Sequence, residues 1–92
     1  MDKPGLIDFC SKVLDVKSDS YLYVNTRTNS SQQQWFLDSR GKITNYGLLK
    51  NVDVQGAKFE AGVPVLVWKE NFDQNVNQKF ILQEKVAMCK GC

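Results

Sequence analysis

Apolar and polar positions along this chain alternate over short distances, and no stretch holds the three-and-four spacing of a long amphipathic helix. The runs Leu6-Ile7-Asp8-Phe9, Val13-Leu14-Asp15-Val16, Tyr21-Leu22-Tyr23-Val24 and Trp35-Phe36-Leu37 come first. After Gly41 follow Ile43, Leu48-Leu49, Val52-Asp53-Val54, the run from Val63 to Trp68, and Phe80-Ile81-Leu82. β-Branched and aromatic side chains dominate these runs, as suits a pleated, half-buried surface. Lys17-Ser18-Asp19-Ser20 reads as a tight turn, Asn25 to Gln34 as a polar loop, and Pro4-Gly5 as the end of a short arm. The pattern predicts an all-β domain over residues 6–83, with an arm over 1–5 before it and a tail over 84–92 after it.

The chain repeats itself. Val13-Leu14-Asp15-Val16 and Asn51-Val52-Asp53-Val54 open two units that close on Gln33-Gln34-Trp35 and Gln78-Lys79-Phe80. The units span about residues 6–40 and 41–83, a length typical of a structural repeat. Superposing Gln33 on Gln78 sets Tyr23 on Trp68 and Gln32 on Asn77. In that register the segment from Asp15 to Tyr23 is seven residues shorter than the one from Asp53 to Trp68. The shortfall removes the equivalent of Gln55 through Gly62, a loop placed to wall a pocket.

Chemistry concentrates between Val52 and Phe80. Asp53 stands between two valines, the alternation Val63, Val65, Val67 ends on Trp68, and Asn77-Gln78 precedes Phe80. An acceptor carboxylate, a flat aromatic face and an amide are the parts that hold a sugar, with hydroxyls bonded on one side and C–H groups packed on the other. In order and spacing, with no gap, the stretch resembles the galactose-binding repeat of the ricin B-chain type, which carries a V/L-D-V opening, a G-x-x-V-x-L-W middle and an N-Q-x-W close. Phe80 stands where the closing Trp is expected, and Leu66 where sugar-binding members often carry a polar side chain.

The resemblance implies a β-trefoil-like fold of four-stranded repeats. Three such repeats close a six-stranded barrel, and this chain supplies two, so an edge is expected to be covered by self-association as a homo-oligomer, by a partner chain, or by the rest of a longer chain. It also implies a carbohydrate-binding (lectin) module for galactose or N-acetylgalactosamine-type sugars, and galactose-type glycans as partners. Asp53 would accept from two hydroxyls, Trp68 would stack on the ring, Asn77 would donate to one hydroxyl and accept from another, and Gln78 would mainly support Asp53. The first unit offers a weaker second site of Asp15, Tyr23, Gln32 and Gln33.

Plainer readings stand beside these. Asp15 and Asp53 also suit bonds to turn amides, Trp68 a half-buried core position, and Gln33 and Gln78 a structural role. A trefoil scaffold for protein–protein interaction or self-assembly, without sugar affinity, is the alternative from another class.

Composition narrows the field. The chain has 92 residues, enough for one domain, with 12 basic and 10 acidic side chains and a net charge of +2. No two Lys or Arg are adjacent, so nucleic acid is an unexpected partner. No apolar stretch is long enough for a membrane span. The start Met1-Asp2-Lys3-Pro4 has no apolar segment behind it, which suggests a cytoplasmic product or one secreted without a classical signal peptide. With no His and no near carboxylate pair, no catalytic residue or cofactor is expected. The three cysteines, Cys10, Cys89 and Cys92, are odd in number and predict free thiols, with a metal or thiol-exchange role for Cys89-Lys90-Gly91-Cys92 disfavoured. Asn29-Ser30-Ser31 is a glycosylation pattern that matters only in a secreted product.

Overall fold

The computed structural model describes residues 3–72 and 75–81. Among these residues seven short strands occur: β1 (Asp8–Phe9), β2 (Lys12–Val16), β3 (Leu22–Asn25), β4 (Trp35–Leu37), β5 (Ile43–Asn45), β6 (Asn51–Val54) and β7 (Val65–Trp68). They form two antiparallel sheets, β1-β2-β3 and β4-β5-β6-β7. No α-helix occurs among the described residues; single 3-10 turns lie at Ser31–Gln33, Gln55–Ala57 and Val76–Gln78.

Two seams join the sheets. Gly5 and Trp35 exchange both backbone hydrogen bonds, at 3.0 and 2.8 Å, and Tyr21 bridges Leu66 while the Val67 N–H donates to Ser20 O at 2.9 Å. The first seam has a counterpart in the second unit, where the Phe80 N–H donates to Gly41 O at 2.8 Å. Gly41 has φ +90°, and a Cβ there would lie 2.5 Å from Phe80 O, so only glycine permits this approach.

Both units feed one core. Val16, Trp35, Val52 and Val67 are buried in it, with Ile7, Leu14, Leu22, Ile43, Leu48 and Phe80 packed around them. Val52 and Val67 face each other across β6 and β7, so the alternation read in the sequence sends these two inward. The Trp35 indole N–H donates to Leu14 O at 3.2 Å, which satisfies the polar atom of the ring. Removing such a ring from water supplies about 4–6 kcal/mol of transfer free energy.

Several sequence expectations change. Leu48 and Leu49 are not a strand: they lie in the turn after β5, with Leu49 at φ 56°. Asn45 Oδ1 accepts the Leu48 N–H at 3.0 Å and so holds that turn against strand geometry. β7 begins at Val65 rather than Val63, as Pro64, lacking an N–H, stands before it. Only Asp8 and Phe9 of the first run are strand. Gly5, assigned to the arm, is tied into the sheet through Trp35. Phe80 and Ile81 carry no strand ladder, and Leu82 and the tail 84–92 lie outside the described residues. Cys10 is disulfide-bonded, which corrects the free-thiol expectation for it. An odd count leaves one sulfur over but does not forbid a bridge. Cys89 and Cys92 lie outside the described residues.

Candidate binding site

The site is built on the β6–β7 hairpin. Asp53 is directly opposite Leu66, and Asn51 opposite Trp68. Side chains alternate across a strand, so Asp53, Leu66 and Trp68 share the face away from Val52 and Val67. The 3-10 turn at Val76–Gln78 then brings two consecutive amides to the carboxylate. Asn77 Nδ2 donates to Asp53 Oδ1 at 2.9 Å, and Gln78 Nε2 donates to Asp53 Oδ2 at 2.8 Å.

Gln78 is fully buried and every polar atom of its amide is engaged. Its Nε2 also donates to Lys69 O at 2.8 Å, and its Oε1 accepts the Asn71 N–H at 2.9 Å. It thereby clamps the chain leaving β7 onto the carboxylate. Asn77 Nδ2 gives its second hydrogen to Val54 O at 3.2 Å. Both N–H groups of Asn77 are thus committed to protein, and its carbonyl is the part with no bond among the described residues. Among the described residues Asp53 accepts one side-chain bond on each oxygen, which leaves one lone pair on each without a donor from them.

A cavity of about 330 Å³ opens beside this carboxylate. Asp53, Trp68 and Asn77 line it together with Gln55, Gly56, Leu66 and Asn71, while Gln78 sits behind Asp53. Trp68 is 51% exposed, whereas Asp53 is 5% exposed. An open aromatic face and a sunken acceptor therefore meet across a small space, at the lower end of the size range of ligand pockets. Leu66 supplies an apolar floor between them.

Asn71 was not singled out from sequence, nor was the polar chain that holds its loop. Lys42 is almost fully buried, with Nζ 3.4 Å from Asn71 O, 3.5 Å from Glu70 Oε1 and 5.5 Å from the centre of the Phe72 ring. Glu70 Oε1 also accepts from Asn51 Nδ2 at 3.3 Å, and Asn51 Oδ1 accepts from Thr44 Oγ1 at 2.7 Å. These residues fall on separate runs with no local signature, and only the folded register brings them together.

The first unit repeats the clamp. Gln33 Nε2 donates to Asp15 Oδ2 at 3.1 Å and to Thr26 O at 2.8 Å, and Gln33 Oε1 accepts the Thr28 N–H at 2.8 Å. Thr26 and Thr28 thus play the parts of Lys69 and Asn71. The matched bonds, with Asp15 opposite Tyr23 and Asp53 opposite Leu66, fix the register between units. Tyr23 corresponds to Leu66, and Asn25 to Trp68. The gapless register that set Tyr23 on Trp68 is corrected by two positions, because the segment from β3 to Gln33 is two residues shorter than that from β7 to Gln78. The hairpin difference shrinks accordingly: residues 17–21 connect β2 to β3, and residues 55–64 connect β6 to β7, five fewer rather than seven.

This register changes the meaning of the first unit. Asn25 Nδ2 donates to Asp15 Oδ2 at 3.0 Å and to the Tyr23 hydroxyl oxygen at 2.9 Å, and the Val16 N–H donates to Asp15 Oδ1 at 2.7 Å. The Tyr23 hydroxyl, held by Asn25, lies beside the carboxylate. Burial of Asp15 pushes its pKa up, but the bonds from Asn25, Val16 and Gln33 and the neighbouring Tyr23 hydroxyl together outweigh that and hold it below the usual Asp value. Tyr23 is pushed up by desolvation and by the neighbouring Asp15 charge. Gln32 occupies the place of Asn77 in its turn. It bonds through its backbone, with its N–H on Ser30 Oγ at 3.2 Å and its carbonyl accepting from Asn45 Nδ2 at 2.8 Å. Of the four residues of the weaker site, Asp15, Tyr23 and Gln33 come together, and they complete one another.

No protein-family model and no curated protein sequence matches the chain. Among the described residues no helix is long and apolar enough to cross a membrane, and no group of three or more Cys, Asp or Glu is placed to hold a metal ion.

Proposed function

We propose that the chain is a carbohydrate-binding module of the ricin B type, with a partial β-trefoil architecture, that takes a galactose or N-acetylgalactosamine-type sugar at Asp53, Trp68 and Asn77. One observation carries the reading: the same Asp–Gln clamp is closed in the first unit and open in the second. Asp15 is completed by the Asn25 amide and the Val16 N–H, with the Asn25 amide also holding the Tyr23 hydroxyl beside it. The equivalent positions in the second unit are Leu66 and Trp68, which bring no hydroxyl or amide, and a cavity lies there instead. What Asp53 lacks is a pair of donors, and neighbouring hydroxyls on a sugar ring are such a pair. Trp68 offers its face to the apolar side of the same ring. A disulfide at Cys10 fits the oxidising setting in which surface glycans are displayed.

A single site of this size gives an affinity near millimolar, about 4 kcal/mol, so useful binding draws on several copies. A homo-oligomer would supply them. An apolar cavity of about 460 Å³ between the two sheets, lined by Leu6, Ile7, Leu14, Trp35, Leu37 and Ile43, favours such an assembly. It equally supports the second reading, a scaffold that binds protein or itself without sugar affinity.

The test is a titration with galactose, N-acetylgalactosamine and lactose, followed by Trp fluorescence and amide NMR shifts, with Asp53→Ala and Trp68→Ala in parallel. Saturable shifts around Asp53 and Asn77 that both variants abolish support the lectin. No shift up to tens of millimolar leaves the scaffold as the better reading.

A further inference from the structure

We infer that the site takes two linked sugar residues rather than one, the second held in a separate subsite formed by the β6–β7 connection. This rests on the carbohydrate reading above. A cavity of about 490 Å³ lies beside the first and is lined by Lys58, Ala61, Gly62, Val63 and Pro64. Gln55 and Gly56 line both cavities, so the two adjoin at the start of the connection. The first unit has no counterpart, since its hairpin is five residues shorter where this wall would stand.

The connection is held in shape rather than left loose. Gly56 and Ala57 take left-handed backbone angles, φ 64° and 54°, a conformation a side chain at position 57 adopts only under constraint. The Gln55 N–H donates to Pro64 O at 3.1 Å and the Val63 N–H to Glu60 O at 3.3 Å, which closes both ends of the loop. The Tyr21 hydroxyl donates to Gln55 Oε1 at 3.3 Å. That bond comes from the other unit and fixes the amide at the junction of the two cavities with its NH2 left to donate.

The chemistry of the second cavity matches a sugar residue. Val63 and Pro64 give an apolar wall for ring C–H groups, the Gln55 NH2 meets an oxygen near the glycosidic link, and the Lys58 ammonium reaches a hydroxyl or ring oxygen on the outer side. The occupant is the neighbouring residue of a disaccharide unit whose terminal galactose-type ring sits on Trp68.

The experiment compares methyl β-galactoside with lactose by NMR titration of the native chain, of Lys58→Ala and of Gln55→Ala. Both side chains are exposed and neither belongs to the core, so the variants fold. The expected result is lactose bound about three- to tenfold more tightly than the methyl glycoside, with amide shifts over residues 58–63 seen for lactose only. In both variants the ratio falls toward one, and in Lys58→Ala, whose side chain does not line the first cavity, methyl β-galactoside binds as before. Equal affinities in the native chain, or a lactose advantage that survives both substitutions, overturn the second subsite and leave the single-sugar site standing. Failure of both probes to bind overturns the carbohydrate reading and the subsite with it.

Discussion

Replacing Gln78 by Ala tests whether the clamp is structural in both units and complete in only one. The substitution takes a partner from three groups at once: the buried Asp53 Oδ2 and the part-buried Lys69 O and Asn71 N–H. An unsatisfied buried polar group costs about 1–3 kcal/mol, more if charged. The adjoining cavity admits water to the carboxylate, which puts each group toward the lower end, and the sum is about 3–5 kcal/mol. A domain of this size has a total stability of roughly 5–10 kcal/mol, so Gln78→Ala should remain folded but melt at far lower denaturant. Gln33→Ala removes the matching bonds to Thr26 O, the Thr28 N–H and Asp15 Oδ2. Asp15, however, keeps Asn25 and the Val16 N–H. Its loss should be smaller, about 2–3 kcal/mol. Urea unfolding followed by far-UV circular dichroism reads both, with an unchanged slope required before the midpoints are converted. A cost below about 1 kcal/mol for Gln78→Ala, or a larger cost for Gln33→Ala, would refute the reasoning.

Two further outcomes follow from the geometry. Gly41→Ala should cost about 2–4 kcal/mol in the same urea assay, because its Cβ would sit 2.5 Å from Phe80 O on a left-handed backbone; a change under about 0.5 kcal/mol would mean that the second seam gives way freely. Acid should destabilise the fold through Asp15 and Asp38, both held below the usual Asp value. Asp38 is held there by the Lys42 N–H first, against opposing desolvation, with help from the Arg40 side chain and backbone. For a depressed carboxylate the stabilisation is complete above the unfolded value near 4 and is lost as pH falls through the lower folded value. Stability should therefore hold from neutrality to about pH 4 and fall below it, and Asp38→Asn should flatten that fall; an acid limb unchanged by the substitution would contradict the assignment.

The strand content and the two openings around Asp15 and Asp53 were legible because period-two alternation and turn residues are local signals. That each unit opens on an Asp and closes on a Gln was legible too, as a repeat, and the support of Asp53 by Gln78 was an expectation from the resemblance. What could not be read was the offset inside the first unit. A sequence superposition anchored on Gln33 and Gln78 runs backward without knowing that the chain from β3 to its turn is two residues shorter, so Tyr23 fell on Trp68 rather than on Leu66. Leu48 and Leu49 failed for a related reason. Their apolarity matched a strand, but Asn45, buried and bonded to the Leu48 N–H, makes the turn instead. Lys42, Glu70 and Asn71 gave no signal at all, since a buried Lys reads like any surface cation until its partners are known.

The corrected register also decides which features carry functional weight. The Asp–Gln pair alone does not separate a lectin from a scaffold, for the first unit has the pair and closes it with its own Tyr and Asn. Nor does the amide of Asn77, whose N–H groups serve Asp53 and Val54. The weight falls on the two positions where the units differ, 23 against 66 and 25 against 68. An amide that bonds the carboxylate and the tyrosine it holds in one unit give way in the other to a half-exposed tryptophan and a leucine. A scaffold in need of stability alone would gain from the first arrangement in both places, since each unmet acceptor near the surface forgoes a charge-assisted bond. Among the described residues the second unit leaves its carboxylate with fewer donors beside an aromatic face and a longer loop, and it is on that difference between the units that the proposed sugar site rests.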